Sequence, residues 1–296
     1  MPNSMPPMFI PVINSVKGAW HVRLLVTISL ATAPLSWADE KPETSLIDQA
    51  RAAAEKGDVT GAMLLSGKAL AEKKDAKTLK LHAQLCEASK HYEGQLEAYA
   101  ELIKLEPEVP TWLNQSGVAK FMAGDFRGSV EDFDAFLEKV PSAMPRHWQR
   151  GLSQYGAGLF EEGRAQFEAH QKVNPNDVEN AAWHFLCVAS LEDVEAARKA
   201  IIPIRGDGRV PMPEVHDLFS GKGGEEAVLK AANAAAPQKR NHLCYAHLYL
   251  ALYKEALGNT AEALKHYKLA AVDYSMSHYM GETARVFYES RRKSER

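Results

Sequence analysis

Apolar residues recur every three or four positions along most of the chain, and short polar stretches separate the runs that carry this spacing. A period of 3.6 residues is typical of an α-helix that buries one face. No stretch sustains the strict alternation of apolar and polar residues that a half-buried strand requires. The turns between the runs fall at Gly57-Asp58, Gly124-Asp125, Gly158-Leu159 and Gly258-Asn259. The pattern therefore predicts an all-α protein, built from pairs of helices and without a β-sheet.

Prolines divide the middle of the chain into segments of equal length. Pro107, Pro141 and Pro175 lie 34 residues apart, and a proline ends a helix because it lacks the N–H donor and disfavours a helical residue before it. With Pro141 and Pro175 aligned, four columns match: Gly117 with Gly151, Gly124 with Gly158, Phe126 with Phe160, and Phe133 with Phe167. A mid-helix glycine costs about 1 kcal/mol relative to alanine. Gly117 and Gly151 therefore predict a close approach of the neighbouring helix.

These segments resemble the tetratricopeptide repeat (TPR) family, whose unit is a helix–turn–helix hairpin of the same length. The resemblance implies a right-handed superhelical solenoid of helical hairpins with a concave inner side. We expect a TPR-like array of about five hairpins over residues 39–204 and an irregular helical hairpin over residues 205–237. A TPR hairpin and a capping helix are expected over residues 238–296.

The irregular hairpin is predicted from its composition, because glycine and proline crowd residues 203–237. Two short helices fit between these residues, at 213–220 and 225–236, and their apolar residues need burial. The capping helix is predicted from His278 to about Arg291. Its end is polar, as a cap must be to keep a repeat array soluble.

The N-terminal segment has the features of a secretory signal peptide. Residues 1–38 contain no aspartate or glutamate, and basic residues precede a short apolar run at residues 24–31. Ser36-Trp37-Ala38 then offers small residues for cleavage between Ala38 and Asp39. The alternative, an uncleaved membrane anchor, would need an apolar run of roughly 20 residues. Because no cysteine lies near the cleavage site for a lipid anchor, we expect an exported, soluble protein, either periplasmic or secreted.

Charge and motifs exclude several classes of function. The formal net charge is -3, which gives no electrostatic case for binding nucleic acid. The odd number of cysteines excludes a complete disulfide set, and we interpret Cys86, Cys187 and Cys244 as inert core thiols. His184 and Cys187 could face one metal ion from a single helix, but two ligands do not make a site. The sequence therefore predicts a non-enzymatic protein without a metal or cofactor.

Residues 110–290 also resemble exported TPR proteins of bacteria and plastids, including NlpI-like periplasmic proteins. The segments that carry this resemblance are NPNDVENAAWHFLCVA, RVPMPEVHDLF and YAHLYLALYKEALGN. It implies an adaptor that docks an envelope protease or a cell-wall hydrolase. NlpI-like proteins are anchored by a lipidated cysteine, which this chain lacks.

The resemblance also implies where a partner would bind. In TPR arrays, residues of each first helix at spacing i, i+4 and i+7 line the concave side. The candidate partner-binding residues share this face or adjoin it: Asn114, Val118, Phe121, Trp148, Gln149, Tyr155 and Trp183. Aromatic side chains are common at interfaces, but they could instead pack under the following repeat, as we expect for Leu152 and Leu186.

Two other functions stay open at this point. The first is an enzyme with its site in the irregular hairpin, where polar residues gather: Arg205, Asp207, Arg209, Glu214, His216 and Asp217. The second is a purely structural repeat protein. A homodimer is compatible with each of these alternatives and with the adaptor.

Overall fold

Fifteen α-helices and no β-strand make up residues 45–234 and 238–294, the part of the chain that the computed structural model describes. The helices are α1 (Leu46–Glu55), α2 (Val59–Glu72), α3 (Ala76–Ala88), α4 (Tyr92–Leu105), α5 (Thr111–Ala123), α6 (Phe126–Lys139), α7 (Trp148–Gly156), α8 (Phe160–Gln171), α9 (Val178–Leu191), α10 (Val194–Lys199), α11 (Met212–Phe219), α12 (Glu225–Ala234), α13 (Lys239–Ala256), α14 (Thr260–Lys268) and α15 (Tyr279–Ser294). A 3-10 helix at Pro141–Arg146 precedes α7, and a π-helical segment at Leu269–Asp273 follows α14. The predicted signal peptide lies outside the described residues.

The chain divides between Lys90 and His91 into two compact units. In the first unit, α1 packs on α2, and α2 packs on α3. Its core is small and consists mostly of alanine and leucine: Ala50, Ala62, Leu81 and Leu85.

The second unit contains α4 to α15, and each helix from α4 to α9 packs on the next one along the chain. The helices α11 and α12 pack on α9 and α13 respectively. They bury Val215, Phe219 and Val228 completely. The two short helices that composition predicts for the irregular hairpin are thus present, and their apolar residues belong to the core of this unit.

The turns between paired helices use glycine and aspartate in succession. Gly124 has a φ of 85°, in the left-handed region that glycine tolerates best. Asp125 then caps α6, because its carboxylate accepts a hydrogen bond of 2.9 Å from the backbone N–H of Gly128. Gly57 and Asp58 repeat this arrangement before α2. The predicted turn positions are confirmed.

The two mid-helix glycines are confirmed as points of close helix approach. A Cβ added to Gly117 would lie 2.6 Å from the ring of Phe133, and one added to Gly151 would lie 2.6 Å from the ring of Phe167. Both rings are buried. In each repeat, the phenylalanine of the second helix therefore fills the space that the glycine of the first helix leaves.

The final helix, α15, buries one face and has exposed polar residues at its end, Arg292 and Lys293. Thr283, Ala284, Val286 and Phe287 are buried, and the helix packs on α5, α13 and α14. Arg285 and Arg291 of this helix form ion pairs. In the part of the chain that the structure describes, no helix has both the length and the apolar character that crossing a membrane requires.

Candidate functional site

The aromatic side chains of the second unit gather around Phe287 of α15. Its side chain is fully buried. Five rings surround it at centroid distances between 5.4 and 6.4 Å: Phe121, Phe126, Tyr155, Trp183 and Tyr267. Phe121, Tyr155 and Trp183 belong to α5, α7 and α9. We call the faces of these three helices that carry them the first-helix surface, and α15 lies against it.

The beginning of α15 makes a second aromatic contact with this surface. The ring of Tyr279 stacks on Phe121 at a centroid distance of 5.7 Å and meets Trp148 edge-on at 4.8 Å. Met280 follows and is buried. Aromatic pairs in these geometries contribute about 0.5–1.5 kcal/mol beyond the burial of their surface. Trp148 itself is half-buried, so one part of its ring remains accessible.

Arg285 fixes the middle of α15. Its guanidinium group donates to the hydroxyl of Tyr92 and to the carbonyl of Met122, both at 2.8 Å. Glu282 and Glu289, one turn away on either side in α15, pair with it at 2.7 and 2.9 Å. Burial raises the pKa of Tyr92 to about 12, although the positive charge of Arg285 acts in the opposite direction. The charge of Arg285 is thus balanced by carboxylates of its own helix.

Arg291 fixes the far end of α15 through Glu255 of α13. The guanidinium lies 2.8 Å from the carboxylate and 5.2 Å from the ring centroid of Phe287. The same carboxylate accepts hydrogen bonds from the hydroxyls of Tyr267 at 2.7 Å and Tyr155 at 3.5 Å. Burial raises the pKa of both tyrosines well above the usual range. They therefore stay protonated and act as donors to Glu255.

A pocket opens beside this ion pair. Tyr155, Phe160, Ser190, Glu255 and Arg291 are among the residues that line it. Ser190 is exposed, and the side chain of Arg291 retains 30% of its accessible surface. The contact between Arg291 and Glu255 is thus within reach of solvent, unlike Phe287 one helical turn away.

Comparison with known proteins addresses the fold. No family model matches the sequence. The C-terminal part of a TPR repeat-containing protein from Cytophaga hutchinsonii is similar at 13% identity and a TM-score of 0.45, over 82% of this chain and 89% of that chain. A tetratricopeptide repeat protein from Parabacteroides merdae is similar at 13% identity and a TM-score of 0.50, over 83% of this chain and 97% of that chain. The chain has the TPR fold.

The TPR fold brings the predicted partner-binding residues together on one side of the second unit. Phe121, Tyr155 and Trp183 are buried, and each contacts Phe287. Four more are half-buried: Asn114, Val118, Trp148 and Gln149. Leu152 and Leu186 are confirmed as core residues. Partner binding by these residues stays a prediction, and α15 covers Phe121, Tyr155 and Trp183.

Asn114 stabilises the beginning of the next TPR hairpin. Its side-chain oxygen lies 2.8 Å from Nε2 of His147. Nδ1 of the same ring lies 3.3 Å from the backbone nitrogen of Arg150 and caps α7. Since Nδ1 accepts, the proton lies on Nε2, which donates to Asn114. Burial lowers the pKa of His147 to about 4, so the ring is neutral at physiological pH.

A second polar cluster, which sequence reasoning missed in part, joins the irregular hairpin to α9. Arg209 contacts three carboxylates, those of Asp177 at 2.6 Å, Glu179 at 2.5 Å and Asp207 at 2.5 Å. Glu179 also accepts a hydrogen bond of 2.8 Å from the hydroxyl of Tyr249 on α13. We call these five residues the Arg209 cluster. Its partners on α9 lie about 30 residues before Arg209, and no local sequence signal links them to it.

The Arg209 cluster holds more negative than positive charge. Three carboxylates share one guanidinium, and the side chain of Glu179 retains 14% of its accessible surface. Burial raises the pKa of Glu179 to about 7, although Arg209 acts in the opposite direction. Hydrogen bonds from Arg209 and from the backbone N–H of Val178 lower the pKa of Asp207, even though burial opposes this shift. The cluster thus contains one carboxyl group that titrates near neutral pH.

The remaining polar residues of the irregular hairpin have separate contacts. Arg205 is exposed, and its backbone N–H donates to the side chain of Asn176. His216 forms a hydrogen bond with the carbonyl of Ile202 at 3.0 Å. Asp207 and Arg209 contact each other. Arg205 and His216 contact other residues, Asn176 and Ile202 respectively.

The cysteines and histidines offer no metal or thiol chemistry in the part of the chain described. No three side chains of histidine, cysteine, aspartate or glutamate gather there in a way that could hold a metal ion. Cys86, Cys187 and Cys244 are buried and form no disulfide. Burial raises the pKa of Cys244 to about 11 and that of Cys187 further. These thiols are therefore protonated, as expected for small core residues.

Proposed function

We propose that this protein is a non-enzymatic adaptor of the cell envelope that binds a protein partner through the first-helix surface. One observation supports the proposal more than any other. The first-helix surface holds a helix, α15, through the aromatic contacts of Phe287 and Tyr279. The polar contacts of Arg285 with α4 and of Arg291 with α13 add to these. A surface that holds one amphipathic helix in this way has the chemistry to hold a similar segment of a partner.

The rim of this surface offers the accessible contacts. Trp148 is half-buried beside Tyr279. Gln149, the next residue of α7, is also half-buried, as are Asn114 and Val118 of α5. Large aromatic residues such as Trp148 are frequent anchors in protein interfaces. By the resemblance to NlpI-like proteins, the partner would be an envelope protease or a cell-wall hydrolase.

The test of binding begins with capture of partners by the tagged full chain from an envelope extract and ends with purified components. We expect Trp148→Ala to weaken the affinity for a purified partner about 30-fold, the loss that corresponds to an anchor worth roughly 2 kcal/mol. Leu105→Ala is the control, since Leu105 is 51% exposed and belongs to α4. Thermal unfolding of each variant separates loss of binding from loss of the fold. A folded Trp148→Ala protein with wild-type affinity would refute partner binding at this site.

The envelope location has its own test. We expect the mature protein to begin at Asp39, because Ser36-Trp37-Ala38 provides the cleavage site. N-terminal sequencing of the protein purified from fractionated cells checks this. Retention of residues before Leu24 in the mature protein would show that the segment is not removed.

A further inference from the structure

The helix α15 packs on α14 and on the π-helical segment, its neighbours in sequence, and also on α5 and α13, which are more distant in the chain. A repeat helix packs mainly on its neighbours in sequence, whereas Arg285 of α15 reaches Tyr92, which is 193 residues away, and Met122, which is 163 residues away. The segment between the π-helical turn and α15 consists of five residues, Tyr274 to His278. Released from its contacts, α15 would stay attached to the chain through this segment.

The positions of the anchoring residues define a recognition pattern within α15. Relative to Phe287, a tyrosine lies eight residues before, one arginine two residues before and another arginine four residues after. The protein surface complements each of them. Rings surround the phenylalanine and the tyrosine, a carbonyl and a tyrosine hydroxyl accept from the first arginine, and the carboxylate of Glu255 accepts from the second.

Departure of α15 would leave few unsatisfied charges behind. The carboxylate partners of Arg285 belong to α15 and would leave with it. Glu255 would remain, but the hydroxyls of Tyr267 and Tyr155 already donate to it. Because a buried unpaired charge is the costliest consequence of breaking an ion pair, these two tyrosines make the site tolerant of exchange. What α15 loses on leaving is mainly apolar contact.

We propose, building on the adaptor function above, that α15 is an internal ligand of the first-helix surface and that the partner binds by displacing it. The partner segment is an amphipathic helix with a central aromatic residue. One arginine lies two residues before this aromatic residue, and a second arginine lies four residues after it. The tether keeps α15 at a high effective concentration. Only the molecules in which α15 is released can bind the partner. The apparent affinity therefore equals the intrinsic affinity multiplied by the fraction of molecules in this released state.

The experiment uses a fluorescein-labelled peptide of residues 277–294 as the probe and the full chain as the receptor. We expect the Arg291→Met chain to bind this peptide at least tenfold more tightly than the wild-type chain does. The substitution weakens only the internal helix, and the peptide supplies the missing arginine to Glu255. Arg292→Met is the matched control, because Arg292 is exposed and stacks on Tyr288 of its own helix. We expect wild-type binding from this control.

Two altered peptides test the recognition pattern. We expect the peptide with Phe287→Ala not to bind the Arg291→Met chain, and the peptide with Arg291→Met to lose most of the tenfold gain. Equal binding of the original peptide to the wild-type and Arg291→Met chains would overturn the proposal. Formation of a dimer by the Arg291→Met chain, without binding of the peptide, would also overturn the proposal. In that case the first-helix surface would be occupied by α15 of a second copy of the chain.

Hydrogen exchange of the wild-type chain provides a test that needs no variant. We expect the amides of α15 to exchange through an opening that leaves α9 and α13 protected. Exchange of α15 only together with α13, in global unfolding, would overturn the proposal. That result would leave the adaptor function intact, because a partner could still bind at Trp148 with α15 in place.

Discussion

Single residues decide how closely the TPR hairpins pack, and glycine does so by leaving space. Phe133 and Phe167 lie where a side chain at Gly117 or Gly151 would have to be. Alanine would favour the helix by about 1 kcal/mol, but the ring contact at 2.6 Å outweighs this gain, since both rings are buried and cannot swing away.

We therefore expect Gly117→Ala to lower the free energy of unfolding by roughly 1–3 kcal/mol, the usual cost of overpacking a core. Gly67→Ala is the control, because Gly67 lies inside α2 with open space around the position of its Cβ. We expect this control to be neutral or stabilising by up to about 1 kcal/mol. Urea unfolding followed by circular dichroism measures both changes, and a Gly117→Ala protein as stable as wild type would contradict the packing argument.

The carboxyl group of Glu179 makes stability depend on pH. Its folded pKa of about 7 exceeds the value of about 4.3 expected in the unfolded chain, so the folded state binds the proton more tightly. The stability that this proton contributes is complete below about pH 4.3 and is lost as the pH rises through 7. The charged and hydroxyl groups around Glu179 include Arg209, Asp177 and Tyr249.

We expect the wild-type chain to lose at least 1 kcal/mol of stability relative to Glu179→Gln between pH 4.5 and pH 8, since one pKa unit corresponds to about 1.4 kcal/mol. Comparing the two proteins at each pH cancels the titration of the histidines. Glu195→Gln serves as the control, because the side chain of Glu195 is 69% exposed. A difference between wild type and Glu179→Gln that stays constant over this range would rule out a raised pKa.

At the level of elements, the sequence predicts those features of secondary structure that are determined by residues close together in the chain. Turns, caps and helix pairs follow from glycine, aspartate and apolar spacing, and the two short helices of the irregular hairpin begin within one residue of the expected positions. The 3-10 helix at Pro141–Arg146 was not predicted. Neither was the Arg209 cluster. Apart from the contact between Arg209 and Asp207, its contacts join residues 30 to 70 positions apart.

The irregular hairpin has two parts with different expected stability. Residues 200–210 lie outside helices, whereas α11 buries Met212, Val215 and Phe219. Because local opening follows exposed backbone and sparse burial, we expect the amides of residues 200–210 to exchange faster than those of α11 or α9. Hydrogen exchange with peptide-level resolution measures this. Protection of residues 200–210 equal to that of α9 would contradict it.

For the molecule as a whole, the sequence indicated which helix faces come together but not what lies against them. Phe121, Tyr155 and Trp183 were identified from repeat positions, and they do meet. That α15 covers them depends on contacts between residues more than 100 positions apart, to which no single segment of sequence corresponds. The contacts of Arg285 with Tyr92 and Met122, and of Arg291 with Glu255, are visible only in three dimensions.

The position of α15 in the chain also governs the timing of folding. A ribosome that adds about 5–20 residues per second makes Phe287 roughly 10–30 s after Phe121, so the rings that surround Phe287 wait that long for their central partner. Until then, the nascent second unit exposes an aromatic surface that a chaperone can bind.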